Sequence, residues 1–254
     1  MPSKKQSSTR PDLTIVVPAY CESKRIGKTL DALARFLKTE KSLSKLAIEV
    51  IVVSADSPDD THKIVTGKRD KFPDFKLLKP GPKVGKGRDV QYGMLHAKGN
   101  AVIFMDADLA TPLRHLPKFY KAYQNGFEVV VGTRNLFKHH PGYLRRMVSN
   151  MGNLLFRVAG GVWIEDSQCG FKLFSRDASQ VCFSKLHIMG WGFDMEVLAI
   201  AKANDFKMRS YRINDWVSMP DSTFTEGMLA NSLKMLQELL FIFGCRLRGT
   251  YRVR

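Results

Sequence analysis

Short apolar runs alternate with amphipathic segments through the first half of this chain. The apolar runs, rich in β-branched residues, are residues 13–18, 48–53, 76–78 and 101–105. Such runs are typical of buried strands. Apolar spacings of three and four predict helices over residues 25–38, 59–71 and 88–97. Strands that alternate with helices predict right-handed crossovers, and therefore an α/β fold with a mostly parallel sheet flanked by helices.

Acidic side chains follow three of the four predicted strands. They are Glu22 after the first strand, Asp56, Asp59 and Asp60 after the second, and Asp106 and Asp108 after the fourth. Ligands of such sheets bind at the carboxyl ends of the strands, so these carboxylates should converge on one site. Asp106 and Asp108 lie one residue apart across a turn, which lets both face a hard divalent cation that also binds water and phosphate. Alternatively, the two aspartates only cap the helix that follows.

Lysine and arginine outnumber aspartate and glutamate by 40 to 24, which gives the 254-residue chain a net charge of +16. A surface this cationic favours an anionic partner. The four cysteines lack CxxC spacing, so we expect neither a zinc site nor a disulfide framework. The basic, polar start predicts no signal peptide, and no window of about 20 residues is free of charge. These features predict a soluble or peripheral protein in the cytoplasm.

Two amphipathic helices are predicted in the second half, after a strand over residues 128–132. The first, over residues 143–158, is basic. The second, over residues 228–243, carries an apolar stripe of Leu229, Leu233, Leu236, Leu240 and Phe243. The arginines that follow it are Arg246, Arg248, Arg252 and Arg254. An apolar stripe beside cations is typical of a helix that lies on a membrane, although the same stripe could pack on the core.

Six motifs in a fixed order resemble family 2 glycosyltransferases, which have the Rossmann-like GT-A fold. They are residues 15–22, 57–61, 85–87, 104–109, 166–174 and 191–196. The last two are similar to the branch that contains the dolichyl-phosphate β-glucosyltransferases and, more distantly, the dolichol-phosphate mannose synthases. The resemblance implies an inverting, metal-dependent transferase that moves a hexose to dolichyl phosphate or another polyprenyl phosphate. The leading expectation for the donor is UDP-glucose.

The resemblance also implies how the chain is divided and where it acts. A GT-A domain over residues 12–227 would follow a basic flexible N-terminus at residues 1–11. Residues 228–254 would form the amphipathic helix and basic tail. Because a polyprenyl acceptor stays in the bilayer, we expect a peripheral enzyme on the anionic cytoplasmic face of a membrane.

The motifs carry the family's site residues onto this chain. Those implied for catalysis are Asp106, Asp108, Asp166 and Arg134, with Mg²⁺ or Mn²⁺ on Asp106 and Asp108. Those implied to bind the donor are Pro18, Tyr20, Glu22, Lys86, Ala107, Asp194 and Glu196. Those implied to bind the acceptor phosphate are Arg134, Arg145 and Arg146. A phosphomonoester, with a second pKa near 6, is already a dianion at neutral pH, so no general base is expected.

Several of these residues could instead have a purely structural or surface role. Arg134 could be a surface arginine after a strand, and at most one of Arg145 and Arg146 should reach the site. Asp194 and Glu196 could be the acidic first turn of a helix.

One departure from the family pattern affects the donor. Ala55 stands where the family usually has an aspartate that binds the nucleotide base. We predict that Asp56 or Asp89 supplies a carboxylate near the base instead. The departure leaves GDP-mannose open as the donor, and a soluble or polysaccharide acceptor is a further alternative. A non-catalytic nucleic-acid-binding protein is a distant one, because the sequence has no RRM, zinc-finger or helix-turn-helix signature and the strand-end carboxylates would repel phosphate without a metal.

Overall fold

The computed structural model describes residues 10–134, 156–190, 192–217 and 228–253, with side chains of the last range described from residue 234. The strands are β1 (Leu13–Pro18), β2 (Ile48–Val53), β3 (Asp74–Leu78), β4 (Ala101–Met105), β5 (Val129–Arg134), β6 (Phe171–Ser175) and β7 (Met208–Ile213). The α-helices are α1 (Ile26–Thr39), α2 (Thr61–Thr66), α3 (Lys86–His96), α4 (Leu116–Gln124), α5 (Arg176–Ser184), α6 (Phe193–Ala203) and α7 (Met228–Leu247).

Within the described residues, the seven strands form one sheet in the order β3-β2-β1-β4-β6-β5-β7. Strand β6 is antiparallel to both β4 and β5, and the other pairings are parallel. The expected mostly parallel sheet flanked by helices is therefore confirmed. The antiparallel β6 places its first residues beside the carboxyl ends of β4 and β5.

Both faces of β1, β2, β4 and β5 are buried, which explains why these strands are mostly apolar, whereas the edge strand β7 is polar and largely exposed. In β1, Val16 packs in one core cluster, and Ile15 and Val17 pack in the other. Helices α1 and α4 cover the Ile15 face, and α3, α5, α6 and α7 cover the Val16 face. The core therefore lies in two layers, one on each face of the sheet. The carboxyl ends of the parallel strands lie between these two layers.

The first-half elements agree with the sequence prediction except at two helices. The helix predicted over residues 59–71 is present but shorter, because α2 spans only Thr61–Thr66 and a 3₁₀ turn, Arg69–Lys71, follows Gly67. Residues 67–71 contain no apolar side chain that could hold another helical turn against the sheet. The predicted helix over residues 88–97 begins earlier, so Lys86 is its first residue.

The later predictions are only partly covered by the described residues. The strand predicted at residues 128–132 is β5, which extends to Arg134. Most of the helix predicted over residues 143–158 lies outside the described residues, although residues 156–160 are helical. The helix predicted over residues 228–243 is present and extends to Leu247. All four cysteines are free, as expected.

Candidate active site

The carboxyl ends of β1, β2, β4 and β5 meet at one edge of the sheet, which brings together the side chains that follow these strands. Asp106 follows β4 directly, and its backbone N–H donates to the carbonyl of Gly170, 3.0 Å away, just before β6. Asp108 accepts a hydrogen bond from the N–H of Ala110 at 2.9 Å. Leu109 has a positive φ of 56°, which closes the turn after the two aspartates.

The carboxylates at this edge repel one another. Burial raises the pKa of Asp108, and the charge of Asp106 raises it further. Burial also raises the pKa of Glu22, with smaller contributions from Asp108 and Asp106 that Arg25 opposes. A nearby cation would offset the repulsion between these carboxylates, so the cluster is suited to bind one.

Lys86 supplies one positive charge to the site. Its ammonium lies 2.6 Å from the Asp106 carboxylate. Burial alone would lower the pKa of Lys86, but the carboxylates of Asp106 and Asp194 raise it above the ordinary value. The first turn of α3 therefore presents a permanent cation to the aspartates.

Two glycines are required by close approaches at the site. A Cβ at Gly170 would overlap the carboxylate of Asp106, so only glycine leaves that carboxylate in place. A Cβ at Gly85 would overlap the carbonyl of Met189 in the segment before α6. Lys86 is thus held between the sheet edge and the segment of residues 187–190.

Arg134 and Asp166 form a two-pronged ion pair at the end of β5. The guanidinium donates to both carboxylate oxygens, at 2.6 and 2.9 Å, and the backbone N–H of Arg134 donates to the same group at 3.0 Å. Burial would raise the pKa of Asp166, but the hydrogen bonds from Arg134 lower it. The guanidinium also lies 5.4 Å from the ring centre of Trp216. Asp166 is buried and Arg134 is not, so Asp166 orients an arginine that still reaches solvent.

Two predicted donor ligands are buried and engaged elsewhere. Asp194 pairs with the buried Lys172, which also donates to the carbonyl of Cys169. Glu196 is wholly buried and accepts hydrogen bonds from the N–H groups of His187 and Ile188 and from the hydroxyl of Tyr251. Neither carboxylate is available to a sugar hydroxyl in this structure, which does not fit the role expected from the motif.

The loop after β1 is tied to the loop after β2. Glu22 forms an ion pair with Arg25, and its backbone N–H donates to the hydroxyl of Thr61. Lys83 lies over the ring of Tyr20, 4.3 Å from its centre. Pro18 ends β1 at the same edge. The predicted donor residues of this loop therefore lie at the site, together with Lys83, which the motifs did not include.

Asp56 and Asp89 differ in their surroundings. Asp56 is exposed, and its N–H donates to the carbonyl of Gly81. Asp89 is buried in the first turn of α3; burial raises its pKa, while Arg88 and the backbone N–H of Ala55 oppose the shift. Asp89 therefore places a carboxylate against the backbone of Ala55, the position at which the usual aspartate is missing.

The other predicted residues are accounted for as follows. Ala107 is buried, and its carbonyl accepts a hydrogen bond from Thr29. Arg145 and Arg146 lie outside the described residues. Sequence reasoning missed Lys172, whose apolar neighbours on β6 made it look like an ordinary strand residue.

The aspartates fit a cation that takes its remaining ligands from a substrate. In the part of the chain that the structure describes, no three His, Cys, Asp or Glu side chains are grouped around a possible metal position. Magnesium commonly uses one or two protein carboxylates together with substrate phosphates, and Mn²⁺ also prefers oxygen ligands. Asp106 and Asp108, with the repulsion between them, provide that kind of site.

Comparison with known proteins identifies the family. Residues 14–183 match the model of Glycosyl transferase family 2, which covers most of the chain. The chain belongs to this family. The glycosyltransferase is 34% identical to a dolichyl-phosphate β-glucosyltransferase of Trichomonas vaginalis over 239 residues, which covers 90% of this chain and 71% of that protein. It is 30% identical to the human dolichyl-phosphate β-glucosyltransferase, with 100% of this chain and 81% of that protein covered.

Solved structures share the fold of the glycosyltransferase. Glucosyl-3-phosphoglycerate synthase from Mycobacterium tuberculosis, solved with Mn²⁺, UDP and its product, superposes with a TM-score of 0.68 at 17% identity, over 92% of this chain and 80% of that one. A mannosyltransferase from Pyrobaculum calidifontis, solved with GDP-mannose and Mn²⁺, gives 0.61 at 20% identity, over 95% of this chain and 65% of that one. The expected GT-A fold is confirmed.

Proposed function

We propose that this glycosyltransferase transfers glucose from UDP-glucose to dolichyl phosphate, or to a closely similar polyprenyl phosphate, with inversion at the anomeric carbon. The observation that carries the proposal is that one sheet edge holds two neighbouring aspartates, Asp106 and Asp108, together with Lys86, which pairs with Asp106, and with Arg134, which Asp166 orients. The names of the two relatives support the same acceptor and sugar.

A divalent cation, Mg²⁺ or Mn²⁺, on Asp106 and Asp108 would offset the charge that builds up on the diphosphate as it leaves. The Mn²⁺ and UDP in the mycobacterial structure support this assignment. Lys86, beside Asp106, would add its charge to the same diphosphate. A cation in a partly buried site is worth more to a developing anion than the same cation in water.

The attacking group is an oxygen of the acceptor phosphate. It forms the new bond to C1 of glucose on the face opposite to the leaving UDP, and the bond between C1 and the UDP oxygen breaks. No proton is transferred, because the acceptor is already a dianion above its second pKa near 6. The protein's task is then to align the two anions for in-line attack.

Arg134 is suited to align the acceptor phosphate. Its guanidinium uses two N–H groups on Asp166, which fixes its plane, and its remaining N–H groups make no hydrogen bond to the described residues, so they could bind an anion. Asp166 thus acts as a positioning residue for Arg134. Arg145 and Arg146 remain predicted acceptor ligands.

Membrane association of the enzyme follows from this acceptor, because a polyprenyl phosphate does not leave the bilayer. Among the described residues, no helix has the length and apolar character needed to cross a membrane. We propose attachment to the membrane surface at the cytoplasmic face, because the acceptor lies in the bilayer and the net charge of +16 favours anionic headgroups.

The proposal can be tested by following glucose transfer from UDP-glucose to a short-chain, water-soluble dolichyl phosphate with Mg²⁺ or Mn²⁺ added. GDP-mannose and UDP-N-acetylglucosamine serve as competing donors, and a non-phosphorylated dolichol as the control acceptor. We expect product only with UDP-glucose, phosphate acceptor and metal together. Transfer from GDP-mannose instead, or equal transfer to the control acceptor, would contradict the proposed donor or acceptor respectively.

A further inference from the structure

Helix α7 carries an apolar stripe that faces solvent. Leu236, Leu240, Phe243 and Leu247 are exposed at 45, 62, 39 and 72% of their surface. Their spacings of four, three and four place them on one side of the helix. The stripe therefore coincides with part of the one read from the sequence, and it is not used to pack the core.

The rest of α7 is attached firmly to the protein. Leu239 and Ile242 are buried in the core cluster with α6. Arg246 donates to the carbonyl of Val158 at 2.9 Å. Because these contacts hold the helix from another side, the stripe cannot turn inward without breaking them.

Cations follow the apolar stripe and are held in place. Arg248 and Arg252 are both exposed, whereas Tyr251 between them is fully buried and anchors the tail. Lys185 donates to the carbonyl of Arg252 at 3.0 Å. The tail is therefore an ordered segment that presents two guanidinium groups next to Leu247.

A second apolar segment lies beside the same helix. The backbone at Gly161 approaches the guanidinium of Arg246 so closely that a Cβ there would overlap it. Val158 and Trp163, on either side of Gly161, are exposed at 59 and 78%. Tryptophan is enriched where proteins meet the interface of a membrane.

We infer that the outer face of α7, defined by Leu236, Leu240, Phe243 and Leu247 with Arg248 and Arg252, docks on an anionic lipid bilayer. The inference deepens the proposed function and rests on it, since a lipid acceptor requires the enzyme to meet a membrane. Apolar side chains at the headgroup boundary with cations beside anionic headgroups are the contacts that such a surface provides.

The charges argue against a second copy of the chain as the partner. In a symmetric pair through this stripe, the same patch would meet itself. Whether the two helices ran parallel or antiparallel, the stripe itself would offer Arg248 and Arg252 of the other copy no acidic side chain among the described residues. An anionic bilayer neutralises these cations instead.

The side of α7 that faces away from the stripe reaches the segment beside Lys86. Glu238, two residues from both Leu236 and Leu240, lies on that side and sits against Gly192, where a Cβ would overlap its carboxylate. The nearby carbonyl of Met189 packs on Gly85, which precedes Lys86. Helix α7 therefore connects the docked stripe, on its outer side, with the segment that holds Lys86, on its inner side.

Vesicle sedimentation tests this inference with the full chain. One variant carries Leu240→Ser and Leu247→Ser, and a second carries Arg248→Gln and Arg252→Gln. The controls are Val84→Ser, an exposed apolar residue elsewhere, and Arg35→Gln with Lys38→Gln, the same charge change on α1. Deletion of the tail is unsuitable because Tyr251 belongs to the core.

On phosphatidylcholine vesicles containing phosphatidylserine, we expect the arginine variant to bind about 30-fold more weakly, since each cation contributes about 1 kcal/mol. The leucine variant should bind at least about tenfold more weakly. The controls should bind like the unaltered chain. Omission of phosphatidylserine should abolish the difference made by the arginines.

Equal sedimentation of the α7 variants and the unaltered chain would overturn the inference. A dimer in solution that the leucine substitutions dissociate, without vesicle binding, would assign the stripe to a second copy and also overturn it. Transfer to the water-soluble acceptor is measured in parallel. Its absence in the unaltered chain would count against the proposed function, whatever the vesicles show.

Discussion

The ammonium of Lys86 lies 2.6 Å from the carboxylate of Asp106, so a lysine occupies one of the two residues that we assign to the metal. A divalent cation must compete with this ion pair. The Lys86→Gln variant should therefore bind Mn²⁺ about fivefold more tightly without nucleotide, and UDP-glucose about tenfold more weakly, because the diphosphate loses a cation. Titration calorimetry of each ligand measures both changes. Weaker binding of Mn²⁺ to the variant would show that Lys86 does not compete for Asp106.

Asp108 is expected to be indispensable for transfer and dispensable for folding. Loss of a metal ligand that stabilises the leaving group by several kcal/mol should reduce kcat about a thousandfold in Asp108→Ala. The pKa of Asp108 is raised, so its charge does not favour the folded state, and the Tm of the variant should stay close to the original. Asp60→Ala, another acidic residue at this edge, is the control. Full activity of Asp108→Ala in the presence of a chelator would refute the assignment.

The Arg134–Asp166 pair should stabilise the fold in a pH-dependent manner. The pKa of Asp166 is lowered in the folded state, so its contribution is present above the ordinary value of 3.8 and is lost as the pH falls through the folded pKa. The free energy of unfolding of Asp166→Asn should be about 2–3 kcal/mol lower than that of the original chain at pH 7. This difference in free energy should shrink below about pH 4. Urea unfolding from pH 2 to 7 measures it. A constant difference across this range would mean that the ionised pair does not provide the stability.

The rate of transfer should fall in acid because of the acceptor and not because of a protein base. The acceptor phosphate loses its second negative charge below about pH 6, so kcat/KM for the acceptor should fall there. A phosphonate acceptor, which has a higher second pKa, should move the fall to higher pH. The affinity for UDP with Mn²⁺ is measured over the same pH range as a control. Because the acceptor takes no part in that binding, a loss of affinity in acid would report protonation of Asp108. If the fall does not move with the phosphonate, a protein group controls it.

Asp89 is the better of the two candidates for the missing base-binding carboxylate. It lies against the backbone of Ala55 and, unlike the buried Asp194 and Glu196, it keeps a carboxylate oxygen, Oδ1, that has no hydrogen-bond partner among the described residues. Asp56 faces solvent. We predict that Asp89→Asn weakens UDP binding about tenfold, the cost of one charge-assisted hydrogen bond, and that Asp56→Asn leaves it unchanged. Binding is measured with UDP and GDP, and thermal unfolding without ligand identifies any loss of stability. The reverse order of effects would assign the base to Asp56.

The first half of the chain is largely readable from its sequence. The apolar runs of β1, β2 and β4 are local patterns, and each is followed within a few residues by an acidic side chain. Because parallel strands share one edge, the sequence alone places Asp106, Asp108 and Glu22 together. Lys86 was assigned from the Gly-Lys-Gly motif of the family resemblance, and its helix begins two residues earlier than predicted.

Contacts between distant segments were decided only by the tertiary structure. The antiparallel pairing of β6 with β4 brings Gly170 onto Asp106, and no local periodicity encodes that pairing. Glu196 was expected to bind the donor or, alternatively, to be part of the acidic first turn of a helix. It does lie in the first turn of α6, where the N–H groups of His187 and Ile188 and the hydroxyl of Tyr251 enclose it.

Helix α7 gives the clearest case of this division. Its sequence determined that a helix with an apolar stripe would form, because apolar spacing along the chain sets the faces of a helix. It did not determine which face the protein would use, since Leu239 and Ile242 are as apolar as Leu236 and Leu240. Leu239 and Ile242 are buried, whereas Leu236 and Leu240 are exposed. Which pair is buried depends on which side of the helix packs against the rest of the folded domain.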